Sequence, residues 1–182
     1  KKQITAGVDE VGRGCLAGPV IAASVILKSH IDGLMDSKKL SPKKRERLSS
    51  KIIKNSIFSI GMANNQEIDE INILQASLLA MQRSIKKLGI RPKKILVDGT
   101  HIFTTSIEIE SIVGGDNLIP SISAASIVAK VYRDNLMMEY SKEFPEYGFE
   151  KHKGYPTKLH KEMILKYGLT RIHRRSFKGV GS

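Results

Sequence analysis

Four acidic side chains stand where apolar runs give way to turns, and together they could hold divalent cations. Asp9 and Glu10 close a first run, Asp98 closes a second just before Gly99, and Asp116 follows Gly114-Gly115 after a third. Strand ends and their loops are where sites are built in open sheets. Carboxylates drawn together repel one another unless cations sit among them. Hard ions such as Mg²⁺ prefer carboxylate oxygens, and two of them would balance four negative charges. The chemistry served would be metal-dependent hydrolysis of a phosphodiester. A plainer reading stands beside this one, because Asp98 and Asp116 taken singly are ordinary turn residues. Geometry adds an objection, since adjacent strand residues point to opposite faces. Asp9 and Glu10 reach one site only if the strand ends or bends there, which Gly12 and Gly14 would allow.

Two other segments could hold the substrate. Gly12-Arg13-Gly14 lets the backbone come close to a ligand, and its N–H groups can meet phosphate or sugar oxygens. Arg13 would add a planar cationic fork, although the tripeptide alone also reads as a turn. His152-Lys153-Gly154-Tyr155-Pro156-Thr157 places an aromatic ring among cations. Tyr155 could stack on a sugar or base, or pack on the protein body in a Gly-Tyr-Pro turn. Other chemistries lack their residues. The five histidines show no metal-ligand spacing, and a single cysteine, Cys15, makes a zinc site or an intramolecular disulfide unsupported. No P-loop or dinucleotide fingerprint occurs, and Ser37 and Ser126 have no evident base partner.

The elements that must position these residues follow from periodicity. Thr5–Asp9, Val20–Leu27 and Ser56–Ala63 read as strands, with Gly and Pro as punctuation between the first two. Ser41-Pro42 starts a short helix that uses Leu48 and Ile52. Ile68, Ile71, Leu74, Leu78, Met81, Ile85 and Leu88 predict one helix over 66–88. Strands follow at 94–98 and 107–113. The segment 121–144 reads as a helix whose small first half suits close approach to a sheet, and Thr157 caps a last helix that Gly168 ends. Strands first, then strands alternating with helices, make an α/β fold with a mixed sheet covered by helices.

Composition narrows the partner. In 182 residues, Lys and Arg number 30 against 18 Asp and Glu, a net charge of +12. A domain this basic repels itself, and a polyanion is the usual reason, nucleic acid first. The longest apolar run, 19–27, is too short to span a membrane, so the cytoplasm is the expected location.

In order along the chain, several segments resemble one family. Gly7-Val8-Asp9-Glu10-Val11-Gly12-Arg13-Gly14 is similar to the opening motif of ribonuclease HII, and Asp36-Ser37-Lys38-Lys39-Leu40 to its second. Val97-Asp98-Gly99 and Gly115-Asp116 resemble the segments with its third and fourth carboxylates. Residues 123–131 with Arg133-Asp134 resemble its small-residue helix. His152–Thr157 and His173-Arg174-Arg175-Ser176-Phe177 resemble the bacterial form, so the likeness runs from Gly7 to Phe177.

That resemblance implies a ribonuclease H-like mixed five-stranded sheet flanked by helices. It also implies a single catalytic domain over 1–182, with 145–182 as a C-terminal helical extension. The expected activity is Mg²⁺- or Mn²⁺-dependent cleavage of RNA–DNA hybrids, and of DNA duplexes containing ribonucleotides, leaving 3′-hydroxyl and 5′-phosphate ends. Asp9, Glu10, Asp98 and Asp116 carry over as ligands of two metal ions. Gly12, Arg13, Gly14, Lys38 and Tyr155 carry over as substrate contacts, with Tyr155 sensing the junction. Asp134 reads as an ion-pair partner beside Arg133, and Cys15 as a residue without a role. Bacterial members often have Lys where this chain has Gly114, which weakens an expected backbone contact there. A monomer is implied. The basic tail offers cations for DNA or a replication clamp, but no clear clamp-binding peptide. Two rivals remain: a junction resolvase of the same fold, and a basic binding module without catalysis. The first leaves the Gly-Arg-Gly and Gly-Tyr-Pro segments unexplained, and the second leaves the four acids unexplained.

Overall fold

The computed structural model describes residues 3–180. Five strands make one mixed sheet: β1 (Thr5–Val11), β2 (Val20–Leu27), β3 (Ser56–Ala63), β4 (Lys94–Asp98) and β5 (Glu108–Ile112). Their spatial order is β3-β2-β1-β4-β5. The antiparallel pairs are β1 with β2 and β2 with β3, whereas β4 runs parallel to both β1 and β5. The expected mixed five-stranded sheet is therefore present.

Helices cover both faces because the central strands are apolar on both sides. One face presents Ala6, Val8, Val20, Ala22, Ile95 and Val97. Against it pack Ile68 of α2 (Asn65–Ile71) and Ala76, Ala80, Met81 and Ile85 of α3 (Ile73–Lys86). The other face presents Ile21, Ala23 and Val25 to Ile52 of α1 (Pro42–Asn55). Beside α1 on that face lies α5 (Pro120–Glu143), with Ala124, Ala125, Val128 and Ala129 buried. The small residues of α5 let it lie almost on the sheet, and a Cβ at Gly7 would collide with the Ser121 backbone.

Between β5 and α5 runs α4 (Gly115–Leu118). After α5 come α6 (Phe149–His152) and α7 (Lys158–Tyr167), with Thr157 capping α7 as expected. Tyr147, Phe149 and Ile172 of this last region pack on Ala17 and Met137. Among the described residues no helix is long and apolar enough to cross a membrane.

The helix expected over 66–88 is two. Asn72 sits between α2 and α3 at φ 72°, and its side-chain oxygen caps α3 by accepting the Gln75 N–H at 3.0 Å. Periodicity could not show the break, because the same apolar spacing continues on both sides of a capping residue. A 3₁₀ turn at Leu34–Lys39 was not foreseen either, and the Ser123 hydroxyl of α5 ties it down through Leu34 O at 2.6 Å.

Candidate active site

Parallel pairing brings the first two acids together. Val8 lies beside Val97, so the next residues of β1 and β4 are Asp9 and Asp98. Asp116 enters from the first turn of α4, where Gly114 turns the chain at φ 66°. Its N–H reaches Asp98 Oδ1 at 3.3 Å. One carboxylate oxygen from each of Asp9, Asp98 and Asp116 lies within 4.8 Å of the others.

Glu10 lies beside that trio. The strand does not end at Asp9, but keeps its register to Val11 opposite Ile21. Glu10 follows Asp9 directly and lies close enough for its charge to act on the Asp9 carboxyl. It remains at the margin of the site, since its N–H donates to Asp9 Oδ1 at 2.8 Å and its Oε1 is 3.8 Å from Arg13 Nη1. Its other oxygen, Oε2, is buried with no hydrogen-bond partner among the described residues.

The electrostatics are those of crowded acids. Burial holds the Asp9 carboxyl well above its usual range, and repulsion from Glu10 and Asp98 adds to this. Burial also raises Glu10, against the pull of Arg13, and raises Asp98, with repulsion from Asp116 adding. The Ser126 hydroxyl on α5 works the other way on Asp9 by favouring its charged form. No pattern in the sequence ties Ser126 to Asp9, because only the packing of α5 on β1 puts them together. Lys38, from the 3₁₀ turn, places its exposed ammonium 2.9 Å from Asp116 Oδ2. That hydrogen bond raises the Lys38 pKa.

An all-oxygen carboxylate set suits a hard divalent cation. The residues present fit such an ion on two counts: three converging carboxylates, and a buried Glu10 oxygen with nothing to bind.

The two expected substrate loops meet beside this cluster. Leu16 N–H donates to Gly154 O at 2.8 Å, so the chain just after Gly14 lies along the Gly154-Tyr155 turn. Gly12 has φ 91°, and a Cβ there would collide with the Arg133 side chain, whereas a Cβ at Gly14 would meet open space. Arg13 is half exposed. The Tyr155 ring is partly buried with the Arg133 guanidinium carbon 6.0 Å from its centre. Cys15 is buried. Asp134 is an ion-pair partner, as expected, with Lys130 Nζ 2.9 Å from its Oδ1.

Histidines that showed no spacing in sequence gather in space. The Thr170 N–H donates to His173 Nδ1 at 2.9 Å, which leaves the ring proton on Nε2. His173 Nε2 lies 2.9 Å from His160 Nε2, and His160 Nδ1 lies 3.0 Å from Tyr155 O. His152 stacks on His160 and accepts the Gly154 N–H at 3.0 Å. Three neutral rings thus hold the turn that carries Tyr155.

The Ribonuclease HII family model matches residues 6–180. A ribonuclease HII of Coxiella burnetii (strain Dugway 5J108-111) is 54% identical over 180 residues, spanning 97% of this chain and 89% of that protein. The crystal structure of the ribonuclease H2 from Pyrococcus horikoshii OT3 superposes with a TM-score of 0.81 at 29% identity, covering 97% of this chain and 94% of that one. Bst-RNase HIII in complex with Mn²⁺ shares the fold, with a TM-score of 0.77 at 16% identity over 98% of this chain and 68% of its own. The chain belongs to the ribonuclease HII family of ribonuclease H endonucleases.

Proposed function

We propose that this endonuclease hydrolyses the RNA strand of RNA–DNA hybrids and cuts 5′ of ribonucleotides embedded in duplex DNA, leaving 3′-hydroxyl and 5′-phosphate ends. The convergence of Asp9, Asp98 and Asp116 in a chain of net charge +12 carries this reading. Hydrolysing a polyanion needs both an acidic pocket and a basic surface around it.

Asp9, Asp98 and Asp116, with Glu10 at the margin, would hold Mg²⁺ or Mn²⁺. Bound there, divalent ions supply an activated water and offset charge on the phosphate and leaving oxygen. The protein's own groups do the rest. Lys38 is exposed and flexible, so its ammonium can leave Asp116 for a substrate phosphate. The backbone of Gly12–Gly14 and the Tyr155 hydroxyl lie on adjoining loops, where they can meet the 2′-hydroxyl that only RNA carries. The same reading treats residues 1–182 as one catalytic unit, with 145–182 as an extension packed on it.

The test is cleavage of a labelled DNA duplex with one ribonucleotide, in Mg²⁺, in Mn²⁺ and in EDTA. One cut 5′ of the ribonucleotide, lost in EDTA, is expected. Asp9→Asn should lose cleavage by at least about 1,000-fold while still binding the duplex. Tight binding without any cutting of this duplex or of a long hybrid would favour a non-catalytic binding module.

A further inference from the structure

Two arginines lie under the substrate loops and are not used by the chemistry above. Arg133 is 1% exposed and Arg174 0%. Among the described residues neither forms an ion pair, which is unusual for charges this deeply buried. Each guanidinium is instead surrounded by backbone carbonyls. Arg133 donates to Ala17 O, Pro19 O and Lys153 O at 2.9, 2.9 and 2.6 Å. Arg174 donates to Gly12 O, Arg13 O and Gly18 O at 2.6, 2.9 and 2.9 Å.

These bonds dictate which way the loop faces. In a trans peptide the C=O and the following N–H point in opposite directions. With Gly12 O and Arg13 O both turned down onto Arg174, the N–H groups of Arg13 and Gly14 turn away from it. Among the described residues, neither N–H finds a hydrogen-bond acceptor. Arg133 completes the arrangement from the side. It fills the space where Gly12 would carry a Cβ, holds Lys153 O next to Gly154, and lies against the Tyr155 ring. Burial pushes the Arg174 guanidinium down to about 10, with Arg133 contributing, so it keeps its charge near neutral pH.

We propose that Arg133 and Arg174 are positioning residues for substrate discrimination: their forked guanidinia hold the Gly12–Gly14 carbonyls inward, and so present the Arg13 and Gly14 amides, beside Tyr155, to the ribonucleotide. This rests on the substrate reading above. A lysine cannot replace either arginine, because an ammonium is a point donor and cannot span three carbonyls in a plane.

The experiment compares wild type with Arg174→Lys in two assays. One is cleavage of a DNA duplex with a single ribonucleotide, and the other is affinity for the same duplex made wholly of DNA. Misplaced amides should lower kcat/KM by about 100-fold, while affinity for the DNA duplex falls by less than about threefold, since Arg174 does not reach the surface. Cleavage equal to wild type would overturn the proposal. So would equal losses in cleavage and affinity, which would mark a general collapse of the surface. If thermal melting shows that Arg174→Lys does not fold, Arg133→Lys is put through the same assays and judged by the same outcomes. A wild type that does not single out the ribonucleotide sinks the substrate reading. Discrimination retained in both wild type and variant sinks the positioning role alone.

Discussion

At the scale of single residues, Tyr155 shows how a side chain can be half committed to the fold and half free. Its backbone carbonyl is held by His160 and its ring lies near Arg133. Burial raises its hydroxyl pKa, so the group stays protonated and can donate at neutral pH. Tyr155→Phe removes only that donor. It is expected to reduce cutting at a single ribonucleotide about tenfold relative to a long hybrid, while unfolding stability moves by less than about 1 kcal/mol. Cleavage assays on the two substrates and a denaturation curve check this, and equal loss on both substrates would remove Tyr155 from junction sensing. The identities of Asp9, Asp98 and Asp116 were legible because they sit in segments with recognisable neighbours. That Asp9 and Asp98 are side by side was not, because parallel pairing joins residues far apart in the chain. The histidine relay left no trace in sequence, since His152, His160 and His173 share no period.

At the scale of elements, the contact between β1 and α5 is the one the site depends on. Gly7 lies two residues before Asp9 and faces the Ser121 backbone with no room for a side chain. Gly7→Ala would push the start of α5 off the sheet and carry Ser126 away from Asp9. Overpacking of this kind costs about 1–3 kcal/mol. The expected result is a lower urea midpoint together with slower cleavage, and a variant that loses neither would show that α5 can slide without cost. The small residues at the start of α5 made this close approach legible. The break at Asn72 was not, and it has a role in the packing. It frees α2 to take its own direction, and from there Asp69 accepts the Arg175 and Ser176 N–H groups at 3.1 and 3.0 Å. Asn65 likewise donates to Arg171 O and His173 O, at 2.9 and 3.1 Å. Helix α2 thereby pins the segment that delivers Arg174.

At the scale of the whole molecule, stability and pH are linked through the buried rings. Burial lowers His160 and His173 to about 4, with the neighbouring histidines adding repulsion. The ordinary value is 6.5, so the unfolded chain takes up protons before the folded one does. The stability from keeping these rings neutral is therefore complete above about 6.5, declines as pH falls toward 4, and levels off below that. The loss amounts to roughly 3 kcal/mol for each ring that must be charged. Thermal melting followed from pH 7.5 to 4.5 should show this decline, and His160→Gln should flatten it. A wild-type midpoint that stays constant over the range would mean the rings are already charged in the fold. The fold class was legible at this scale because strand and helix periods are local. The joining of the last residues to the first loop was not.

That joining has a consequence for synthesis. A ribosome releases the chain from its N-terminus, so β1 and the Gly12–Gly14 loop emerge long before their partners. The β1 edge that β4 will cover stays open until residues 94–98 are made, and unpaired edges of this kind are where nascent proteins associate wrongly. Arg174 follows Gly12 by 162 residues, and only when it is made do the Gly12 and Arg13 carbonyls acquire their donors. The Gly12–Gly14 loop is thus set in place late, by a residue that leaves the tunnel long after the loop itself.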